Sequence, residues 1–296
     1  MSESLIGEIC ALSAAALWST SIILFRRSEE HSAQAINLFK NVSASLLLLI
    51  TLSIFGLGLD TARSGSDWGR LAVSGVLGIA IADTMIFAAL RRLGAARLAV
   101  VETAYTPTIV GLSVVFLDER VGPVFLLGGL LVLGGVLLAQ QRAQPASAAQ
   151  RSADRQGIML GMGGIAAMAV GVILAKPVLE DGHLVEVTFV RLVAGVLGQL
   201  VFIALVPRER PALRVLLPNP AWRTLVPGSF LGAYVAMLLW LGGFKWASAS
   251  EASILNQMST VFTIILARVW LGEPVTRARA MGAVLSVAGA VLVIVT

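Results

Sequence analysis

Charge is what this 296-residue sequence has least of. Asp, Glu, Lys and Arg together make up 13% of it, about half the share of an ordinary soluble domain. Hydrophobic residues make up 57% and the mean hydropathy is +0.88, so a water-soluble globule is excluded. Cysteine occurs once, as Cys10, which rules out an intramolecular disulfide and argues against a cysteine-based metal site. Histidine occurs twice, as His31 and His183, both in expected loops without metal-ligand company. No metal and no cofactor is therefore expected. No glycine-rich phosphate loop is present, which argues against transport driven directly by ATP. The net charge of +5 comes from arginines between apolar runs, so it speaks of membrane orientation and not of a nucleic-acid partner. A cleavable leader is not expected, because the first apolar run follows acidic rather than basic residues.

What the sequence does have is a series of nearly uncharged runs of about 20 residues, the length that spans a hydrocarbon core. In lipid the backbone must satisfy its own hydrogen bonds, so these runs are helices. Ten are expected, at 5–25, 34–57, 70–91, 96–117, 122–140, 157–176, 184–206, 222–244, 249–271 and 276–296. The fold class is all-α integral membrane. Residues 141–156, rich in Ala, Gln, Arg and Ser, read as a flexible linker. The connection Arg208 to Ala221 carries Pro211, Pro218 and Pro220, which forbid a continued helix.

The chain also repeats itself. Leu117-Asp118-Glu119-Arg120-Val121 returns 154 positions later as Leu271-Gly272-Glu273-Pro274-Val275. At that shift Trp68 falls on Trp222, Gly78 on Gly232, Gly128 on Gly282 and Gly135 on Gly289. A slightly shorter shift brings Gly7 onto Gly157 and Ile23-Leu24 onto Ile173-Leu174. Internal duplication decides the fold: 1–140 is one five-helix unit and 157–296 the second. Five spans per unit is an odd number, so the second copy lies inverted with respect to the first. Inverted repeats around a midplane site are a transporter architecture. Orientation is less settled. Arginines crowd one set of connections (Arg26, Arg92, Arg97, Arg155 and Arg208 among them), and the other set holds Arg63, Arg70, Arg120, Lys176 and Lys245. The positive-inside rule then puts both termini outside the cytoplasm.

Ala16-Leu17-Trp18-Ser19-Thr20, basic Lys40 and Arg191 in helices two and seven, Tyr105-Thr106-Pro107 in helix four, and the two Leu-x-Glu-x-Val turns carry a family likeness. With them the chain resembles the drug/metabolite transporter superfamily, and within it the ten-helix EamA-type exporters. The resemblance implies a basket of two inverted five-helix repeats, with helices one, three, four, six, eight and nine around a central cavity. Helices five and ten would lie at the periphery. It implies export of amino acids, other metabolites or drugs, and termini in the cytoplasm, opposite to the arginine count. Met168 stands where the repeat would put a second Trp, and Val261 where it would put a second Pro.

Inside the spans, ionisable residues are functional candidates by default. Asp83, midway along helix three, either faces a cavity as a proton carrier or holds helices together through a partner. Glu102 has Tyr105 and Thr106 at i+3 and i+4. It would meet a substrate amine, or pair with an arginine such as Arg97 or Arg191. Asn256 falls on Glu102 at the repeat shift, followed by Gln257; amides in hydrocarbon want partners across helices or from a ligand. Trp18, Ser19, Thr20, Tyr234 and Trp240 complete the candidate cavity wall. Lys40 and Arg191 would gate with Asp83 or Glu102, bind an anionic group, or snorkel to headgroups. Pro107 would kink helix four. Gly128 and Gly282 read as close helix packing or dimerisation, leaving a monomer or a weak homodimer. Glu119 and Glu273 read as structural: each would cap the helix it opens, or pair with Arg120 or Arg277.

The resulting expectation is a non-enzymatic secondary transporter in a bacterial inner membrane, exporting small metabolites or amino acids by alternating access, with protons as a candidate coupling ion. Its partners would be a small-molecule substrate and the lipid bilayer. A flippase for a lipid-linked intermediate is the nearest rival. An integral-membrane enzyme would need a paired nucleophile and base, which the scattered carboxylates do not supply.

Overall fold

The computed structural model describes residues 2–26, 31–93, 98, 101–139, 148–271 and 275–295. Among these, regular structure is helical only. Helix α1 spans Glu3–Arg26 and α2 spans Ala33–Ile54. α3 runs through three contiguous segments, Gly65–Gly75, Val76–Ile81 and Ala82–Leu93, the middle one π-helical. α4 spans Tyr105–Phe116 and α5 Pro123–Ala139. α6 spans Ala148–Asp181 and α7 Leu184–Leu205. α8 joins Trp222–Gly228, π-helical Ser229–Val235 and Ala236–Trp246. α9 consists of Ala249–Asn256 and Ser259–Leu271, and α10 spans Arg277–Ile294.

Eight of the described helical stretches are long and apolar enough to cross a bilayer. α4, with 12 residues, and α5, with 17, are shorter. Residues 148–156, expected as linker, are instead the start of the 34-residue α6. The connection after α7 is not extended: Pro207–Leu216 forms a 3-10 helix that seats Ala212 and Val215 on Ala35, Leu38 and Phe39 of α2. Large apolar side chains remain exposed along the outer faces, including Leu46, Ile50, Leu130, Leu197, Val201 and Val284. Such a surface suits hydrocarbon and not water.

Consecutive helices run in opposite directions, and close approaches between their ends define two faces. A Cβ added at Gly7, near the start of α1, would meet Ala247 after α8, and one at Gly182, after α6, would meet Arg63 before α3. We call this the amino-terminal face. At the opposite face Gly157 lies against Leu93, and Gly228 against Phe25.

Inversion is written directly in the α5–α10 pair. A Cβ at Gly128 would meet Gly289 O, and one at Gly289 would meet Gly128 O; Gly135 and Gly282 stand in the same mutual relation. Since 128 maps to 282 and 135 to 289, each contact is the image of the other. Two equivalent helices therefore pack antiparallel on their glycine faces, and these glycines are used within the chain instead of offering a face to a second copy.

Candidate functional site

Both repeats interrupt their third and fourth helices at matching places. The π segment Val76–Ile81 of α3 corresponds, at the repeat shift, to Phe230–Val235 inside the π segment of α8. The helical turn at Val101–Glu102 breaks at Thr103–Ala104 before α4 begins, and α9 breaks at Gln257–Met258, again 154 positions on. At the breaks Ala104 N–H donates to Val101 O, and Gln257 and Met258 N–H donate to Ile254 and Leu255 O, at 3.0–3.1 Å. These i→i−3 bonds tighten the turn. Pro107 falls in the first turn of α4, where a missing N–H costs little. Val261 holds the same place in α9, so proline is not what breaks the second helix.

The two broken helices cross each other at these points. Thr106 Oγ1 donates to Ser253 O at 3.1 Å, and Gln257 Nε2 donates back to Thr106 Oγ1 at 3.1 Å. The hydroxyls of Ser113 and Ser250 share a bond of 2.8 Å nearer the amino-terminal face. Glu102 is the last helical residue before its break and is exposed. Asn256 is the last before the other break, and its amide nitrogen is buried without a partner. Tyr105, which opens α4, also buries an unpartnered hydroxyl.

Among the buried cations, Lys40 and Arg191 lie at matching places in helices two and seven, and they are treated differently. Lys40 of α2 is 5% exposed; its Nζ stands 3.4 Å from Asp83 Oδ2 and 5.7 Å over the Trp18 ring. Asp83 follows the π segment of α3 by two residues, and the pair is electrically neutral. Arg191 of α7, the eighth residue of its helix as Lys40 is of α2, is 2% exposed. Its Nε donates to Ser74 Oγ at 2.7 Å, and its guanidinium lies 6.0 Å from the Trp240 ring centre. The Ser74 hydroxyl in turn donates a hydrogen bond to Gly171 O of α6. Among the described residues no carboxylate pairs with Arg191.

Around Lys40 runs a polar seam that sequence reading missed. Asn41 Nδ2 donates to Asn37 Oδ1 at 3.1 Å and to Gln199 Oε1 of α7 at 3.3 Å, and Thr84 reaches Gln34 Oε1 at 3.5 Å. The signal was available: Gln34, Asn37 and Asn41 recur at three- and four-residue spacing on one face of an otherwise apolar helix. Next to it a cavity of about 590 Å³, lined by Gln34, Thr84, Ala88, Arg92, Phe202 and Arg208 among others, is near the opposite face.

The other expected residues have more local partners. Ser19 is fully buried and gives its hydroxyl to Ala15 O and to Ser259 O of α9, both at 2.8 Å. Thr20 bonds back to Ala16 O at 3.1 Å. Tyr234 shares a 2.7 Å hydrogen bond with Thr51 and lies beside Phe230, which is exposed, so it sits between α2 and α8. Trp240 packs edge-on to Phe244 at 5.1 Å.

Glu119 has a structural place that differs from the expected one. It does not cap the helix that it opens. Asp118 takes a left-handed φ of 55° and turns the chain, and Glu119 then accepts from Ala249 N at 2.6 Å, Ser250 N at 3.1 Å and Ser250 Oγ at 2.7 Å. It caps α9 of the other repeat. Glu273, its partner in the sequence pattern, lies outside the described residues, as does Arg97.

Comparison with known proteins agrees with the duplication. The sequence profile of the EamA-like transporter family matches residues 5–140 and again 155–295. No curated protein matches the chain. Among solved structures, one crystal structure described only as that of a protein superposes with a TM-score of 0.78 at 18% identity, covering 97% of this chain and 95% of that one. At that identity the likeness concerns the fold alone. The matched profile covers nearly the whole chain in two copies, in register with the repeated breaks and π segments, and the chain belongs to the EamA-like transporter family.

Proposed function

We propose that the chain is a secondary active transporter with ten membrane crossings, exporting small metabolites or amino acids across a bacterial inner membrane by alternating access. The observation that carries this reading is the pair of helix breaks at 103–104 and 257–258. Broken helices at the interface of inverted repeats supply backbone and side-chain groups for a ligand near the membrane midplane, and here they cross through Thr106, Ser253 and Gln257. Equivalent halves that can exchange conformations open such a site to either side.

Asp83 and Glu102 are the proposed carriers of coupling protons. Asp83 already has a cation at hydrogen-bond distance, so protonation would release Lys40 and change which helices are tied together. We place the arginine-rich face in the cytoplasm. Three of the basic residues at the amino-terminal face are tied to internal partners. Arg63 makes a bidentate bond to Glu186 at 2.7 and 2.5 Å, Lys176 donates to Phe244 O and Ala247 O, and Lys245 donates to three carbonyls at the end of α6. Bound in this way, they weigh little against the arginines of the other face.

Purified protein in liposomes, assayed for pH-gradient-driven flux of labelled amino acids and small organic acids, tests the transport reading. Flux above that of protein-free liposomes is expected. Asp83→Asn and Glu102→Gln should remove its pH dependence; an unchanged dependence in both variants would refute the coupling assignment. Reporter fusions at the termini test the orientation, and a cytoplasmic signal from both would overturn it.

A further inference from the structure

We infer that Arg191 is an anion-recognition residue and that the transported molecule presents a carboxylate to it; this rests on the transport reading above. The argument starts from charge balance. A guanidinium withdrawn from water loses its hydration, and the loss is recovered only by a counter-ion with good hydrogen bonds. Inside a membrane protein the requirement is stricter, because neither lipid nor packed side chains replace water. Lys40 meets it through Asp83. Arg191 does not: it is 2% exposed, and its partners are a serine hydroxyl and the face of an indole. Neither carries a compensating negative charge.

The groups beside Arg191 are those of a receptor for an oxyanion. Tyr105 packs against the same apolar cluster as Trp240, over which the guanidinium lies, and its buried hydroxyl has no hydrogen-bond partner. A hydroxyl without an acceptor next to a cation without a counter-ion asks for one ligand that answers both, and a carboxylate does so with two oxygens. Gly78, in the π segment of α3, lets that helix come up close to the guanidinium: a Cβ there would stand 3.4 Å from Arg191 Nη2. Trp240 and Met237, partly buried and backed by the fully packed Phe244 and Leu241, offer a wall for an apolar or aromatic body. Ser74 is a positioning residue. It anchors Nε to the backbone of α6, leaving the two terminal nitrogens of the fork for a bidentate partner.

The same bookkeeping argues against a simple amine. A substrate ammonium beside Arg191 would meet a second uncompensated positive charge, and Asp83 is already engaged by Lys40. The selected class is therefore an organic carboxylate with an apolar body, with or without an amino group.

The test uses full-length protein in liposomes and a matched set of probes: labelled tryptophan, indole-3-acetate, tryptophanamide and tryptamine. Wild-type protein should take up the two acids in preference to the amide and the amine. Arg191→Met, which keeps length and apolar stem without charge, should weaken half-saturation for the acids by about 30-fold or more, the scale expected when one member of a buried ion pair is removed. Tyr105→Phe should give a smaller loss of the same selectivity. Because the variant also removes an uncompensated charge, ligand-free Arg191→Met should melt no lower than wild type, and indole-3-acetate should raise the melting temperature of wild type only. Equal uptake of acid and amide by wild type, or a lowered melting temperature in Arg191→Met with acid binding intact, would overturn the inference and leave the transport reading standing. No uptake of any probe or of the wider panel above protein-free liposomes would overturn the transport reading, and the inference with it.

Discussion

The glutamate that recurs in the two repeats makes a quantitative demand on stability. Helix α9 starts at Ala249, and its first four N–H groups have no partner within the helix. All are nevertheless satisfied. Ser248 N–H donates to Glu251 Oε2 at 3.0 Å and Glu251 N–H donates to Ser248 Oγ at 3.1 Å, which is a capping box. The two donors between them, Ala249 and Ser250, fall to Glu119, which also takes the Ser250 hydroxyl. Glu119→Ala removes three bonds to a charged acceptor and the favourable interaction with the helix dipole. Each charged hydrogen bond is worth about 1.5–3 kcal/mol. Water can replace part of this, because Glu119 borders a cavity of about 350 Å³ at the amino-terminal face. The expected net loss is about 2–3 kcal/mol, of which the dipole contributes about 0.5–1. Glu251→Ala breaks one bond of the box and should cost about 1 kcal/mol. Thermal or denaturant unfolding in a fixed detergent would resolve the difference, with Glu3→Ala as an exposed control. Because both glutamates serve one helix end, the double variant should be non-additive. If Glu119→Ala melts with the Glu3→Ala control, the cross-repeat cap carries no energy and the argument fails.

Four further outcomes follow from the same contacts. Gly135→Val and Gly282→Val each drive a side chain into the backbone of the facing helix; a loss of about 1–3 kcal/mol is expected, whereas Gly134→Val, with open space at its Cβ, should melt near wild type. Arg63→Met leaves Glu186, which is 2% exposed, without its bidentate partner, and should destabilise by about 3–5 kcal/mol, while Arg63→Met with Glu186→Gln should recover much of the loss in the same melt. Lys40→Met should be worse tolerated than Lys40→Met combined with Asp83→Asn, because the first strands a carboxylate and the second strands nothing; equal yields of folded protein on size exclusion would count against the pair. Ser74→Ala should keep folded protein but broaden acid-over-amide selectivity in the liposome assay, since Arg191 loses its anchor and keeps its charge.

Much of the architecture was legible in the sequence because it depends on hydropathy and repetition, which single residues report. Of the ten expected runs, eight fall on helical stretches long and apolar enough to cross a bilayer and those at 96–117 and 122–140 fall on the shorter α4 and α5, while the paired glycines of α5 and α10 meet as the repeat shift requires. The interruptions were not legible. A π segment inserts one extra residue per turn and leaves the apolar character unchanged, so Val76–Ile81 and Ser229–Val235 read as ordinary span. The break before α4 carried a hint in Pro107, but the break at Gln257–Met258 carried none: it is set by which carbonyls the backbone uses and by the Gln257–Thr106 bond between repeats. Glu119 was read as a helix opener because sequence proximity suggests α5. The αL turn at Asp118 redirects it by a few ångströms to α9, a tertiary fact. Asn37, Asn41 and Gln199 escaped notice because neutral amides look unremarkable singly, and only their meeting across α2 and α7 makes a seam.

Backbone symmetry and side-chain asymmetry then have separate consequences. Repeated π segments, breaks and glycine contacts make the two halves alike in backbone, as the proposed exchange of conformations requires. Chemistry at equivalent positions differs: Lys40 corresponds to Arg191, Asp83 to Met237, and Glu102 to Asn256. One buried cation is neutralised by the chain and its counterpart is left for something else to neutralise. If the two halves exchange conformations as proposed, the two arrangements would not be degenerate without ligand, because the buried cations of the two halves are compensated differently. A ligand shifts the balance only by as much as its affinity differs between the two arrangements. A carboxylate at Arg191 supplies such a difference, since its binding energy is largest where the guanidinium is most withdrawn from water.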